Sequence, residues 1–195
     1  MNRRKAVQRV ALLLGGSVLG AELFMQTGCK SGTTEKNAAT TLASFFTKDE
    51  IAFLDEVAET IIPRTDTPGA KDAMVGEFMN VMVRDCYTPE DQKIFKEGIG
   101  KLEQQCQEKY NAGFMKIQPG QRTELLTAID KEQKEYQANK NKGDEKHYFR
   151  MMRELTLLGY FTSEQGATKA LRYVAVPGKY EPCIPYAKGE KAWAL

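Results

Sequence analysis

The sequence predicts an all-α protein: a single irregular bundle of five to six helices followed by an extended C-terminal tail rich in aromatic residues and proline. Apolar residues recur at helical spacing in several segments, and no alternating strand pattern is longer than a few residues. The apolar fraction of 42% can fill one core in a chain of 195 residues. We divide the chain into a signal segment over residues 1–28, a flexible polar tether over 29–46 and a helical domain over 47–195.

The N-terminus has the order of regions found in an export signal. Basic residues come first, an apolar stretch follows over residues 10–21, and small residues precede Cys29. This stretch is shorter than the roughly 20 apolar residues that a membrane-spanning helix needs. The adjacent Arg3 and Arg4 resemble a twin-arginine signal, and the ordinary export route for unfolded chains is the alternative. We therefore expect a periplasmic, membrane-associated protein.

Cys29 lies in a context that resembles a lipoprotein processing site. Small residues precede it, and residues 30–43 are rich in Ser, Thr, Gly, Asn and Ala without apolar periodicity. Such a composition suits a flexible tether between a lipid anchor and a folded domain. We expect a lipid on Cys29 that holds the chain at a membrane, and a cleaved signal without a lipid is the alternative.

The first helix begins at Thr47, where Glu50 completes a capping box. Apolar residues recur from Ile51 at helical spacing, and Pro63 ends the helix. Turn-forming residues over 63–69 predict a loop. A second helix follows, and its apolar stripe consists of Met74, Val75, Phe78, Met79, Met82 and Val83.

The third helix begins after Thr88, a capping residue that precedes Pro89 at the first helical position. Gly98 and Gly100 inside this helix each cost about 1 kcal/mol relative to alanine. Close approach of another backbone would offset that cost. A fourth helix begins near Pro119, and its polar continuation is expected to be a solvated helix end or a loose connection.

The fifth helix is predicted over residues 147–158, with Gly159 at its C-terminal cap. Ser163 caps a short sixth helix. From residue 173 onward no helical period continues, so the tail is expected to be extended or looped. Its aromatic rings, of a kind enriched at interfaces, either cover this domain's own helices or contact a partner. These aromatic residues are Tyr173, Tyr180, Tyr186 and Trp193.

The sequence has no pattern for catalysis, for a bound cofactor or for a metal. It contains no glycine-rich phosphate loop, no Cys-x-x-Cys and no Cys-x-x-Cys-His. With one histidine in the chain, a zinc site of imidazole and thiolate ligands is not expected. The charge beyond the signal segment is close to zero, which argues against a basic surface for nucleic acid. We expect no catalytic, cofactor-binding or metal-ligating residue.

Three cysteines remain beyond Cys29, in a compartment where disulfides can form. A disulfide between Cys86 and Cys183 would fasten the tail, and closing so long a loop gains on the order of 4 kcal/mol in the chain-entropy model. A bond between Cys86 and Cys106 is the alternative.

Two segments carry a resemblance to a known family. One is Ile-Ile-Pro-Arg-Thr-Asp-Thr-Pro-Gly-Ala over residues 61–70, and the other is the run from Arg153 to Ala167, followed by Tyr173 and by residues 176–180. With Asp-Cys-Tyr at 85–87, these segments resemble the small third subunit of gluconate 2-dehydrogenase type enzymes. The block Gly-Tyr-Phe-Thr-Ser-Glu is the most specific element of the resemblance.

The resemblance implies a noncatalytic small subunit of a periplasmic dehydrogenase complex that oxidises a sugar or polyol. In that family a separate FAD-dependent subunit is catalytic, a cytochrome c subunit with haem c removes the electrons, and the small subunit supports assembly and twin-arginine export of the flavoprotein. A free-standing exported lipoprotein, acting as a binding or structural module, is the alternative. The expected partner interface comprises Gly159, Tyr160, Phe161, Thr162, Ser163, Glu164, Tyr173, Pro177, Gly178 and Tyr180.

Overall fold

The computed structural model describes residues 44–176, 178–179 and 183–194. These residues form five α-helices and one π-helical segment without a β-strand, so the all-α class is confirmed for them. The elements are α1 (Lys48–Ile61), α2 (Val75–Cys86), α3 (Pro89–Tyr110), α4 (Pro119–Asn139), α5 (Tyr148–Thr162) and the π-helical segment (Gly166–Ala170).

Five predicted functional positions lie outside the described residues, and their roles stay predictions. They are the signal residues Arg3 and Arg4, the lipidation site Cys29 and the interface residues Pro177 and Tyr180. Within the described part of the chain, no helix combines the length and the apolar composition that crossing a membrane requires.

Helix α5 is the central element of the bundle, since it contacts the other four α-helices and the π-helical segment. It is apolar on more than one face, as expected of a helix that others surround. Burial of each of its large apolar side chains stabilises the folded state by about 1.5–3 kcal/mol relative to an exposed side chain. Those exposed by 2% or less are Phe149, Met151, Met152 and Tyr160.

The folded domain begins a few residues before the predicted end of the tether. Phe46 is buried, with 2% of its surface exposed. The side-chain oxygen of Asn80 on α2 accepts hydrogen bonds from the backbone N–H groups of Phe45 at 3.1 Å and Phe46 at 3.0 Å. Residues 44–46 therefore belong to the domain, and not to the tether predicted over 29–46.

The start of α1 confirms the predicted capping box. The Thr47 hydroxyl accepts from the Glu50 backbone N–H at 3.2 Å, and the Glu50 carboxylate accepts from the Thr47 N–H at 2.8 Å. The prediction for Met74 was wrong, because this residue is 67% exposed and adopts a left-handed backbone with φ of 50° just before α2. The carboxylate of Asp55 on α1 instead accepts from the Gly76 N–H at 2.7 Å, which caps α2 from a neighbouring helix.

Helix α3 begins as predicted, with the Thr88 hydroxyl accepting from the Asp91 N–H at 3.3 Å. The two glycines inside it differ in their surroundings. A Cβ atom on Gly98 would lie 2.5 Å from the Cβ of Tyr148, whereas one on Gly100 would meet no atom within 4 Å. The close approach at Gly98 is thus made by a side chain of α5 and not by the backbone that we expected.

The polar continuation of the fourth helix is a solvated helix end, the first of the two predicted alternatives. Helix α4 continues to Asn139, ten residues beyond its last buried aliphatic side chain, Ile129. Gln133 is buried in this stretch, and Lys134 pairs with Asp130 at 2.6 Å. Ion pairs four residues apart add a few tenths of a kcal/mol each, which favours continuing the helix.

The fifth helix ends later than predicted, at Thr162, so Gly159 lies inside it and not at its cap. The reason is packing, because a Cβ atom on Gly159 would lie 2.6 Å from the Phe78 ring of α2. Ser163 caps the following turn as predicted, with its hydroxyl accepting from the Gly166 N–H at 3.0 Å.

The tail turns back toward the end of the π-helical segment. The Arg172 N–H donates to the carbonyl of Ala192 at 2.8 Å, and the Ala194 N–H donates to the carbonyl of Arg172 at 2.9 Å. Tyr173, Tyr186 and Trp193 are 51%, 80% and 48% exposed. The described aromatic rings therefore leave much of their surface to solvent.

The three cysteines of the described residues are free thiols in this structure. Cys106 is buried, whereas Cys86 and Cys183 are exposed. Neither the disulfide predicted between Cys86 and Cys183 nor the alternative between Cys86 and Cys106 is formed here, and the pairing stays a prediction for the oxidised protein. Peptide mapping without reduction would test it.

Candidate partner interface

Two depressions flank the chain between Ser163 and Leu171. We call the first the apolar groove; it encloses about 570 Å³, and its lining residues are Phe161, Thr162, Ser163, Glu164, Ala167, Thr168, Leu171, Tyr173 and Trp193. We call the second the loop cavity; it encloses about 530 Å³ between the 64–68 loop and the side chains of Asp72, Gln165 and Lys169. The segment 163–171 is the wall that the two depressions share.

This arrangement depends on one contact between distant parts of the sequence. The Tyr160 hydroxyl donates a hydrogen bond of 2.6 Å to the carbonyl of Pro68, which lies 92 positions earlier in the chain. A Cβ atom on Gly166 would lie 2.7 Å from the Tyr160 carbonyl carbon, so only glycine lets the segment pack this closely on the end of α5. The two segments that carry the family resemblance therefore meet at Tyr160.

Two carboxylates hold the 63–69 loop in one conformation. The Glu59 carboxylate accepts from the backbone N–H groups of Arg64 and Lys71, both at 2.9 Å. The Asp72 carboxylate accepts from the Gly69 N–H at 2.9 Å and from the Arg64 guanidinium. These bonds hold the pKa of Asp72 below its usual range. The loop is thus fixed before any partner binds.

An exposed apolar strip continues from the apolar groove along α5. Leu157, Leu158 and Phe161 are 37%, 46% and 41% exposed and lie on neighbouring turns of the helix. Exposed apolar side chains that form a continuous surface mark interaction sites more often than scattered ones do. This strip therefore extends the groove into a larger surface for another polypeptide.

The C-terminal tail closes one side of the groove through Arg172. Its guanidinium lies 3.8 Å from the centre of the Trp193 ring, a cation–π contact, and it also forms an ion pair with Glu190. The Lys191 ammonium donates to the carbonyl of Lys169. These contacts place the single tryptophan of the chain at the groove.

The structure brings together part of the predicted interface. Gly159 and Tyr160 are buried and are not available to a partner in this structure; Gly159 leaves room for the Phe78 ring, and the Tyr160 hydroxyl binds the Pro68 carbonyl. Gly178 is exposed, while Pro177 and Tyr180 lie outside the described residues. The predicted residues that line the apolar groove are Phe161, Thr162, Ser163, Glu164 and Tyr173.

Our sequence reasoning missed other groove residues. Ala167, Thr168 and Leu171 follow Glu164 at spacings of three, four and seven, which place them on one helical face. That spacing could have identified them as neighbours of Glu164. No sequence pattern could have placed Trp193 beside them, because its position depends on the return of the tail.

A third depression, of about 520 Å³ and lined mainly by polar side chains, lies where α3 and α4 approach the start of α5. Its lining includes His147, whose ring stacks on Tyr148 with 4.8 Å between ring centres. The Tyr148 hydroxyl and a Gln105 side-chain oxygen are buried there and have no hydrogen-bond partner within the described part of the chain, and burial raises the pKa of Tyr148. In the described residues, no three His, Cys, Asp or Glu side chains come together as a metal site.

His147 makes the stability of α5 dependent on pH. Its Nδ1 atom accepts from the Phe149 N–H at 3.3 Å, a bond that only the neutral ring can form. Burial lowers the pKa of His147, with the charge of Lys101 acting in the same direction and that of Glu132 opposing it. Since the folded pKa lies below the unfolded one, the stabilisation is complete above about pH 6.5 and is lost as the pH falls through the folded value.

We therefore expect the free energy of unfolding to fall on acidification more for the unchanged protein than for His147→Asn. Asparagine keeps a capping acceptor but does not titrate in this range. Urea unfolding between pH 7 and pH 5 compares the two variants, and NMR of the only imidazole in the chain reports the pKa directly. An imidazole midpoint at or above the ordinary histidine value would contradict this prediction.

Comparison with known proteins adds one finding. The family model described as gluconate 2-dehydrogenase subunit 3 matches residues 48–178, more than half of the chain. No curated protein and no solved structure matches the chain. The matched range contains the five α-helices, the 63–69 loop and the groove residues as far as Tyr173, while Trp193 lies beyond it.

Proposed function

Because the chain belongs to the gluconate 2-dehydrogenase subunit 3 family, we propose that it is the noncatalytic small subunit of a periplasmic FAD-dependent dehydrogenase complex acting on a sugar or polyol. The match over residues 48–178 carries this proposal. In this proposal FAD belongs to a separate catalytic subunit, and haem c belongs to a cytochrome c subunit that takes up the electrons. This chain binds neither cofactor and supplies a surface for its partners.

The proposed role of the chain is to support assembly and export of the flavoprotein. Arg3 and Arg4 resemble the twin-arginine signal, which serves proteins that cross the membrane already folded. A flavoprotein has to fold around FAD before export, so a partner that carries the signal can bring it across. The fixed 63–69 loop and the exposed strip on α5 suit that role, because a surface formed in advance binds with less loss of conformational entropy.

The complex is proposed to lie on the periplasmic side of a membrane. A lipid on Cys29 would hold the chain there, and residues 30–43 would separate the anchor from the folded domain. Attachment through the other subunits is the second route. Labelling with a fatty acid in the unchanged chain and in Cys29→Ala distinguishes the two routes.

A free-standing exported lipoprotein that acts as a binding or structural module is the second candidate function. The lipidation context of Cys29 and the polar composition after it favour this candidate, since neither feature requires a dehydrogenase partner. The two candidates differ in one observable property, the presence of a flavoprotein bound to the chain.

Purification of the tagged full chain from its native membranes tests the proposal. We expect a second polypeptide with the absorbance spectrum of a flavin to elute with it. The matched variant replaces both Arg3 and Arg4 by lysine, which keeps the charge and removes the twin-arginine pair. In that variant we expect the chain and the flavoprotein to stay together in the cytoplasm. A chain that elutes without any FAD-containing partner would favour the lipoprotein module instead.

A further inference from the structure

The hydroxyl groups on the wall of the apolar groove already donate hydrogen bonds to backbone carbonyls. Thr162, Ser163 and Thr168 donate to the carbonyls of residues 158, 160 and 164, each at 2.6 Å. A hydroxyl has one O–H donor, so a hydroxyl whose donor is already used can only accept a hydrogen bond from a second group. This wall of the groove therefore suits an occupant that brings hydrogen-bond donors.

Glu164 adds a negative charge to the same wall. It is the only ionised side chain that lines the apolar groove, and the structure gives it no ion-pair partner among the described residues. The nearby cations are engaged elsewhere: Arg172 pairs with Glu190, and Lys191 donates to a backbone carbonyl. Lys169 lines the loop cavity on the other side of the segment. Among the described residues, the groove lining thus has one carboxylate without an ion-pair partner and no cation.

The rest of the groove is apolar and aromatic. Phe161, Tyr173 and Trp193 expose between 41% and 51% of their surfaces. Aromatic faces attract cations, and the planar guanidinium of arginine stacks on them more readily than the ammonium of lysine. Arginine carries five N–H donors and no acceptor, which complements a carboxylate beside hydroxyl acceptors.

We propose that the apolar groove binds an arginine-bearing apolar segment of the flavoprotein subunit, with the arginine paired to Glu164 and stacked on the aromatic rings of the groove. This inference rests on the proposed function, since it names the chemistry by which the partner is recognised. The apolar neighbours of that arginine would cover Leu171 and the exposed strip on α5. Arginine and aromatic residues are the side chains that most often dominate binding at interfaces.

The single tryptophan makes the groove directly observable. We would titrate the full chain with the peptide acetyl-Leu-Arg-Leu-amide and with its citrulline counterpart, which has the same shape without the charge, and follow Trp193 fluorescence. We expect saturable binding of the arginine peptide and at least about tenfold weaker binding of the citrulline peptide. Equal responses to the two peptides, or none to either, would overturn the proposal.

Variants of the full chain test the role of Glu164. We expect Glu164→Gln to weaken the binding of the arginine peptide by about tenfold. The matched control is Glu90→Gln, because Glu90 also lies in the first turn of a helix after a capping hydroxyl but does not line the groove. Equal peptide affinity in the two variants would contradict the assignment of Glu164.

The same pair of variants is then compared in the purified complex. Loss of flavoprotein from Glu164→Gln but not from Glu90→Gln supports the proposal. If the unchanged chain holds its flavoprotein and Glu164→Gln holds it equally well, the groove proposal fails while the proposed function stands. If no flavoprotein is recovered from any variant, it is the proposed function that fails.

Two other occupants would overturn the proposal. If replacing Arg3 and Arg4 by glutamine changes the Trp193 emission of the isolated chain, the groove holds this chain's own N-terminal segment. If sedimentation shows a dimer that Glu164→Gln dissociates, the occupant is a second copy of the chain. If the chain is a monomer and the replacement of Arg3 and Arg4 leaves the Trp193 emission unchanged, the result supports binding of a separate partner.

Discussion

Gly98→Ala is expected to destabilise the domain by about 3 kcal/mol, the upper end of the cost of overpacking a core. A Cβ atom at this position would lie 2.5 Å from the Cβ of Tyr148 and 2.7 Å from its ring. Tyr148 cannot easily move away, because only 6% of it is exposed and its ring stacks on His147. Tyr148 is also the first residue of the central helix α5, so a shift of this residue would disturb the packing of α5 against the helices around it.

Gly100→Ala is the matched control, in the same helix and two residues away. A Cβ atom there meets nothing within 4 Å, and alanine is the better helix former by about 1 kcal/mol. We therefore expect this variant to be more stable than the unchanged protein. Urea unfolding followed by far-UV circular dichroism gives both free energies, and similar values for the two variants would contradict the close packing of α3 against α5.

The features that the sequence predicted correctly depend on residues close together in the chain. The capping box at Thr47, the cap at Thr88 and the cap at Ser163 each require partners within three positions. Their hydrogen bonds satisfy helix N–H groups whatever the tertiary structure, which is why spacing alone identifies them. The helical class follows from the same local signals.

The features that the sequence did not predict depend on partners far along the chain. Gly159 resembles a helix cap in sequence, and only the Phe78 ring from α2 explains why glycine lies inside α5. Gly98 is explained by Tyr148, fifty positions away. Neither contact has a periodic signature, because each depends on how two helices cross.

The candidate interface was predictable in part for the same reason. Part of the block at 159–164 lies on the apolar groove, and five of the ten predicted interface residues line that groove. The division of roles inside the block was not predictable, because the bond from Tyr160 to Pro68 buries one aromatic ring while its neighbour Phe161 stays exposed. The block therefore includes residues that position the segment and residues that form its surface.

Gly166→Ala is expected to disrupt the interface more than any change to a surface side chain. Its Cβ atom would overlap the Tyr160 carbonyl oxygen and lie 2.7 Å from the carbonyl carbon and 3.1 Å from the Phe161 Cα. These are backbone atoms at the end of α5, so no rotation of a side chain can make room. The segment would have to move away from α5, with loss of the bond from the Gly166 N–H to the Ser163 hydroxyl.

The loss of stability is expected to be about 2–3 kcal/mol, and its effect should be local. The displaced segment is the wall shared by the apolar groove and the loop cavity, so we expect altered Trp193 emission and loss of the flavoprotein while the helical signal of the bundle persists. Hydrogen exchange should show lower protection at residues 163–171 than in α1 or α3. Gly120→Ala lies outside the candidate interface, and a Cβ atom there meets no atom of the described residues within 4 Å, so this variant should keep both the Trp193 emission and the flavoprotein. If Gly166→Ala instead kept both the emission and the flavoprotein, the partner would have to bind at a surface that this segment does not form.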